Sequence, residues 1–143
     1  ANVGRGLRRS GRLVLLTWQP YPLQEWMHEF STALAAGRPT APPPSDAPGP
    51  FSLSDPDVVR ADLDAAGYDE VILEDRREPM WFGVDADDGY EFVLGQLGWM
   101  LEGLDDDERA AVQRALHHTI SAHTTSAGVL YDSAAWVIRA QRR

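Results

Sequence analysis

The chain has 143 residues, 43% of them hydrophobic and 24% charged, a composition that supports a folded core and argues against wholesale disorder. It contains no Cys, which excludes disulfide frameworks, thiolate nucleophiles and zinc ribbons. The net charge is -9, and 19 of the 22 acids fall between Asp46 and Glu108, opposed there only by Arg60, Arg76 and Arg77; such a field repels a phosphate backbone, so no nucleic-acid partner is expected.

Ala1 to Arg5 lead into no signal-like apolar core, and no apolar run reaches the roughly 18 residues a membrane span needs. A cytoplasmic protein without a membrane partner is expected. Arg5, Arg8, Arg9 and Arg12 cluster near the start, where a solvated helix end explains them better than an anion site. There is no initiator Met, and Val3 and Leu7 are spaced as one face of a helix already under way. The sequence therefore reads as opening in mid-pattern, as if cut from a longer chain.

Gly11-Arg12 introduces Leu13-Val14-Leu15-Leu16-Thr17-Trp18, an apolar run without alternation. That pattern predicts a strand covered on both faces, as in a parallel sheet between helices. Pro20 and Pro22 close it. Apolar positions at Leu23, Trp26, Met27, Phe30, Ala33 and Leu34 predict a helix running to Ala36 and ended by Gly37. Residues 38–50 hold six of the ten prolines and predict an extended loop. Ser54-Asp55-Pro56-Asp57 predicts a helix start with Ser54 as cap, running to Gly67.

Val71-Ile72-Leu73 predicts a second strand, followed by a charged stretch from Glu74 to Glu78 and the apolar Met80-Trp81-Phe82. Asp85 to Asp88 open a helix with Tyr90, Val93, Leu94, Leu97, Leu101 and Leu104 on its face. Asp105 to Glu108 start another, bearing Val112, Ala115, Leu116 and Thr119. The four acids lack the alternating ligands and central Gly of a calcium loop, so capping is the better account. A terminal strand is predicted over Val129 to Arg139 from its β-branched and aromatic content.

No G-x-S-x-G elbow, phosphate-cradling G-x-x-x-x-G-K or G-x-G-x-x-G turn is present. His28-Glu29 is followed by Thr32 where a zincin requires its second His, and His117, His118 and His123 are not spaced to present two imidazoles to one ion. No metal site is expected. Trp18 stands at the carboxyl end of the first strand, the border that faces the ligand crevice in open α/β sheets. With Tyr21, Trp26, Phe30, Trp81 and Phe82 it forms a candidate substrate-pocket wall, against which ordinary core packing is the competing and more economical account for each ring.

The segment Leu7-Arg8-Arg9-Ser10-Gly11-Arg12-Leu13-Val14-Leu15 resembles the class I S-adenosylmethionine-dependent methyltransferase segment in which a helix ends in Leu-Arg-Pro-Gly-Gly and the fifth strand begins. The later order is similar too: helix, Pro-rich insertion, a capped helix ending Ala65-Ala66-Gly67-Tyr68, a strand at Val71-Ile72-Leu73 and a closing strand. Arg9-Ser10 departs from the pattern, and Gly11 is expected to carry the turn alone. The resemblance spans residues 1–143. It implies an α/β fold, α+β when isolated, that is the C-terminal portion of a Rossmann-like methyltransferase domain. Its sheet would be three-stranded and mixed, with the last strand inserted in the middle and Leu13 to Trp18 at an edge. It also implies methyl transfer to a small molecule, with S-adenosylmethionine bound only in the intact enzyme, because the cofactor-holding residues would precede Ala1 and none lies in this chain; the piece alone is expected to be inactive. The open edge at 13–18 predicts a homo-oligomer. The alternative is a self-contained acidic α+β binding or dimerisation module with a Trp-lined groove.

Overall fold

The computed structural model describes residues 2–35, 37–39 and 48–143. In chain order the elements are α1 (Asn2–Gly6), β1 (Arg12–Trp18), a 3-10 turn at Tyr21–Leu23, α2 (Glu25–Leu34), α3 (Pro56–Ala65), β2 (Tyr68–Arg77), β3 (Met80–Gly83) and α4 (Ala86–Leu97). A 3-10 turn at Gly98–Leu101 leads to α5 (Asp106–Ala122), β4 (Thr124–Thr125), β5 (Gly128–Tyr131) and β6 (Ala134–Arg142). The class is mixed α/β with two three-stranded sheets. Two compact units divide the chain: one takes Ala1–Leu23, Pro43–Arg77 and Ala134–Arg143, the other Gln24–Pro42 and Glu78–Ser133.

The first unit holds the sheet β1-β6-β2. Both ladders are antiparallel, pairing Leu15 with Ile138 and Leu73 with Ile138. β1 and β2 thus run parallel to each other with the last strand reversed between them. The expected position of the last strand and the edge position of β1 are both present, but no two neighbouring strands are parallel, so this sheet is antiparallel and not mixed. Leu13, Tyr68 and Ala140 are buried together, with Leu7, Leu15, Leu63 and Val71 packed around them. The opposite face is open: Val14 is 61%, Leu16 72% and Ile72 54% exposed. The expectation of cover on both faces of β1 is therefore corrected. An apolar run records what a strand can bury, and in this unit Leu7 and, from α3, Leu63 pack on only one of its faces.

Other boundaries moved for identifiable reasons. β2 extends through the charged Glu74 to Arg77, which a strand tolerates when its outer edge and one face are wet. Asp55, not Ser54, caps α3 by accepting from Asp57 N–H. Ser54 is buried, and its backbone is engaged elsewhere: its N–H donates to Phe51 O and its carbonyl accepts from Trp136 Nε1 at 2.9 Å. In the turn before β1 it is Ser10, with φ 59°, that adopts the left-handed conformation, not Gly11. Ser10 N–H donates to Arg142 O at 2.8 Å. The Val3 side chain, Ala36 and residues 40–47 of the Pro-rich loop lie outside the described residues.

The second unit packs α2, α4 and α5 around Phe30, Leu34, Phe82, Val93, Leu116 and Ile120, with Val129 and Tyr131 of β5 in the same core. Its sheet, β3-β5-β4, is antiparallel and was not expected. The single terminal strand of the sequence reading is likewise two strands, β5 and β6, broken at Asp132-Ser133. Asp132 N–H donates to Glu25 Oε2 at 2.7 Å and Ser133 Oγ to Glu78 O at 2.7 Å, and these bonds replace ladder pairing at the break. Gly128, at φ 105°, passes so close to Gly83 O and Trp81 Nε1 that a Cβ there would lie 2.5 Å from each.

Candidate functional site

β1 and β2 end at the same strand border, one on either side of the start of β6: Trp18 pairs with Ala135 and Arg77 with Ala134. Trp18, the candidate pocket residue at the carboxyl end of β1, stands at this border, so this is the place to look for a site.

A polar clamp holds it. The amide of Gln19, 1% exposed, donates to the Asp75 carboxylate and to Ala135 O at 3.0 Å, and accepts from Arg77 Nη2 at 3.1 Å. Arg77 Nε closes the triangle onto Asp75 at 2.9 Å. The Gln19 hydrogen bond holds the Asp75 carboxyl below the usual aspartate range, with partial desolvation opposing and Arg77 adding to the effect. Gln19 N–H also donates to Ala134 O. The clamp fixes the ends of β1 and β2 relative to each other across the start of β6 and keeps the charges mutually neutralised.

Beside it opens a cavity of about 330 Å³ lined by Leu16, Thr17 and Trp18 on one wall and Gly49, Pro50, Ser52 and Leu53 on the other. The second wall is held by its own hydrogen bonds. Ser52 Oγ and Ser52 N–H both reach Gly49 O, Thr17 Oγ1 donates to Leu53 O at 3.4 Å, and Phe51 sits edge-on to Tyr21 with centroids 5.7 Å apart. Among the described residues no ionisable side chain lines the cavity.

The six candidate pocket residues divide between the units. Trp18 lines this cavity, and Tyr21 braces its second wall through Phe51. Trp26, Phe30 and Phe82 form one aromatic cluster in the second unit, with Phe30–Phe82 centroids 5.1 Å and Trp26–Phe82 centroids 5.9 Å apart. Phe30 and Phe82 are buried there. Trp81, on the opposite side of β3 from Phe82, is 53% exposed and lies against Gly128.

Sequence reasoning missed Gln19, Asp75, Arg77 and Leu53. Gln19 follows an apolar strand and precedes proline, which marks a strand end but gives no hint that its amide is buried. Asp75 and Arg77, two apart in an extended segment, share a face, and that period was the available signal. The second unit contains a further polar chain: Thr119 Oγ1 donates to Glu29 Oε2 at 3.1 Å and meets Tyr131 Oη at 3.3 Å, while His123 stacks on Tyr131 with centroids 3.9 Å apart and approaches Glu25 at 3.4 Å. Burial pushes the Tyr131 phenol up to about 12.

No family model matches the chain, and no curated protein matches it. Among the described residues no group of three or more His, Asp or Glu could hold a metal ion, and no helix is long and apolar enough to cross a membrane. S-adenosylmethionine, the cofactor implied by the resemblance, carries an ammonium, a carboxylate, a sulfonium and ribose hydroxyls, and it needs charged and hydrogen-bonding partners. Among the described residues the Trp18 cavity offers no ionisable partner. A second cavity of this unit, about 210 Å³, does carry Glu70, Arg12 and Arg139, but it includes Arg12 and Gln141 at the far end of the sheet from the carboxyl border. Neither cavity fits the cofactor.

Proposed function

We propose that this chain is the C-terminal, acceptor-binding portion of a class I S-adenosylmethionine-dependent methyltransferase that acts on a small molecule in the cytoplasm. The observation that carries the reading is the strand order β1-β6-β2, in which the final strand runs antiparallel between two strands that are parallel to each other. That order is the one the resemblance at Leu7 to Leu15 implies for the end of the fold. The exposed Val14, Leu16 and Ile72 support it further, because an intact doubly wound sheet covers both faces with helices.

In this reading the methyl donor is held by residues outside the chain, and the residues present shape and orient the acceptor. Such alignment supplies most of the rate in methyl transfer, so a general base is optional. The test is calorimetry with S-adenosylhomocysteine. Residues 1–143 alone are expected to show no binding, and the product of a longer reading frame that includes the coding sequence upstream of Ala1 is expected to bind. An upstream frame without a strand followed by a Gly-rich loop, or a longer product that ignores S-adenosylhomocysteine, overturns the proposal.

A further inference from the structure

The cavity between Leu16–Trp18 and Gly49–Leu53 has the character of a ligand site and not of a packing fault. It is open to solvent at the carboxyl end of β1, its volume of about 330 Å³ lies in the range of small-molecule pockets, roughly 300 to 1,000 Å³, and its second wall is already ordered by internal bonds. A pre-formed wall spares a ligand the entropy of ordering it.

The lining chemistry restricts the ligand. Leu16, Trp18, Pro50 and Leu53 give apolar surface. The hydroxyls of Thr17 and Ser52 donate to Leu53 O and Gly49 O, so these donors are already satisfied. Of the described charges near it, Asp55, two residues past Leu53, is taken up in capping α3, and Asp75 and Arg77 at the same strand border are paired with each other. A charged ligand would lose its hydration there without a counter-charge, whereas a flat ring can stack against the Trp18 indole and the Pro50 ring.

We infer that this cavity is the acceptor site, and that it takes a neutral, flat aromatic molecule. The inference rests on the methyltransferase reading only for the word acceptor; the binding site itself stands on the cavity. Leu16, at 72% exposure, is the residue of choice for a test, because changing it disturbs no packed core.

The experiment measures binding of 2-naphthol and of 2-naphthoate to the chain by calorimetry, with intermolecular NOEs to locate the ring. 2-Naphthol should bind, with NOEs to the Trp18 indole and the Leu53 methyls, and 2-naphthoate should bind about tenfold more weakly or less. Leu16→Glu should weaken 2-naphthol at least about tenfold while leaving the circular dichroism spectrum unchanged, and Ile72→Thr, on the open sheet face outside the cavity, should bind as the parent does. The inference is overturned by equal affinity for the carboxylate, by NOEs confined to other residues, or by a folded Leu16→Glu variant that binds normally. These outcomes are independent of S-adenosylhomocysteine binding by the longer product, so failure of this inference and failure of the methyltransferase reading are told apart.

Discussion

Ser10 occupies a left-handed position, φ 59°, that costs a residue with a Cβ roughly 1 to 2 kcal/mol more than glycine. Its backbone N–H is committed to Arg142 O, so the turn is held by the end of β6 in spite of that cost. Ser10→Gly should therefore stabilise the chain by about 1 kcal/mol in urea denaturation, after the larger unfolded-state entropy of glycine is subtracted. Gly128 presents the reverse case, since any Cβ meets the Gly83 carbonyl and the Trp81 ring at 2.5 Å. Gly128→Ala should cost about 2 to 4 kcal/mol, from the strain of its φ of 105° together with overpacking, and an unchanged denaturation midpoint would contradict that close approach. Tyr131 yields a pH prediction. Its phenol titrates at about 12 against an ordinary 10.0, so the folded state binds more protons between those values. The stabilisation is fully present below pH 10 and is lost as the pH rises through about 12. Tyr131→Phe should remove this alkaline loss while costing about 1 kcal/mol at neutral pH for the bond to Thr119, measured by denaturation at neutral pH and at about pH 11.

Among the elements, α5 carries its stop and start signals most openly. The Asp105 side chain accepts from Glu108 N–H at 2.8 Å while the Glu108 carboxylate accepts from Asp105 N–H at 3.1 Å, the reciprocal pair that a D-x-x-E spacing announces. Asp105→Ala should lower stability by about 1 kcal/mol, and Asp105→Ser should restore most of it, as read from thermal melts; equal losses in both variants would mean the side chain packs and does not cap. Local signals of this kind made the helices legible: α3, α4 and α5 all begin within a residue of where their acids and prolines place them. Strands were less legible, because their limits depend on partners far away in sequence. β2 extends beyond its apolar centre because β6 pairs with the charged residues as well. The chain breaks between β5 and β6 because Glu25 and Glu78 take up the groups of Asp132 and Ser133, contacts across about a hundred and about fifty residues that no local pattern records. The bonds of Gln19 were invisible for the same reason, since its partners Asp75 and Ala135 are remote.

At the scale of the molecule, the strand order could be anticipated from the resemblance and the second unit could not, because its two chain segments, Gln24–Pro42 and Glu78–Ser133, read separately as a lone helix and a helix pair. The two outer edges of the β1-β6-β2 sheet differ in kind. β2 presents Asp69, Glu70, Glu74, Asp75, Arg76 and Arg77, and a bulge between Asp69 and Ile72 with Glu70 at φ 49°, the devices that protect an edge from pairing. β1 has no bulge, and its one charge is Arg12. In the methyltransferase reading this edge lacks its neighbouring strand in residues 1–143, and a second copy is the partner expected there. A two-fold axis at Leu15 would set Val14 opposite Leu16 of the partner subunit and Arg12 opposite Trp18 of the partner subunit, a cation over an indole and no pair of like charges. The methyltransferase reading therefore implies that residues 1–143 self-associate through β1. Sedimentation velocity should show a concentration-dependent dimer, and Val14→Lys, at a site 61% exposed, should return it to monomer without loss of helix or sheet signal, because two lysines are then carried into one short ladder. A parent chain that sediments as a monomer over the micromolar range, or a Val14→Lys dimer as tight as the parent, would mean that β1 needs no neighbour, and it would remove with it the reason to place another strand of the same enzyme at that edge.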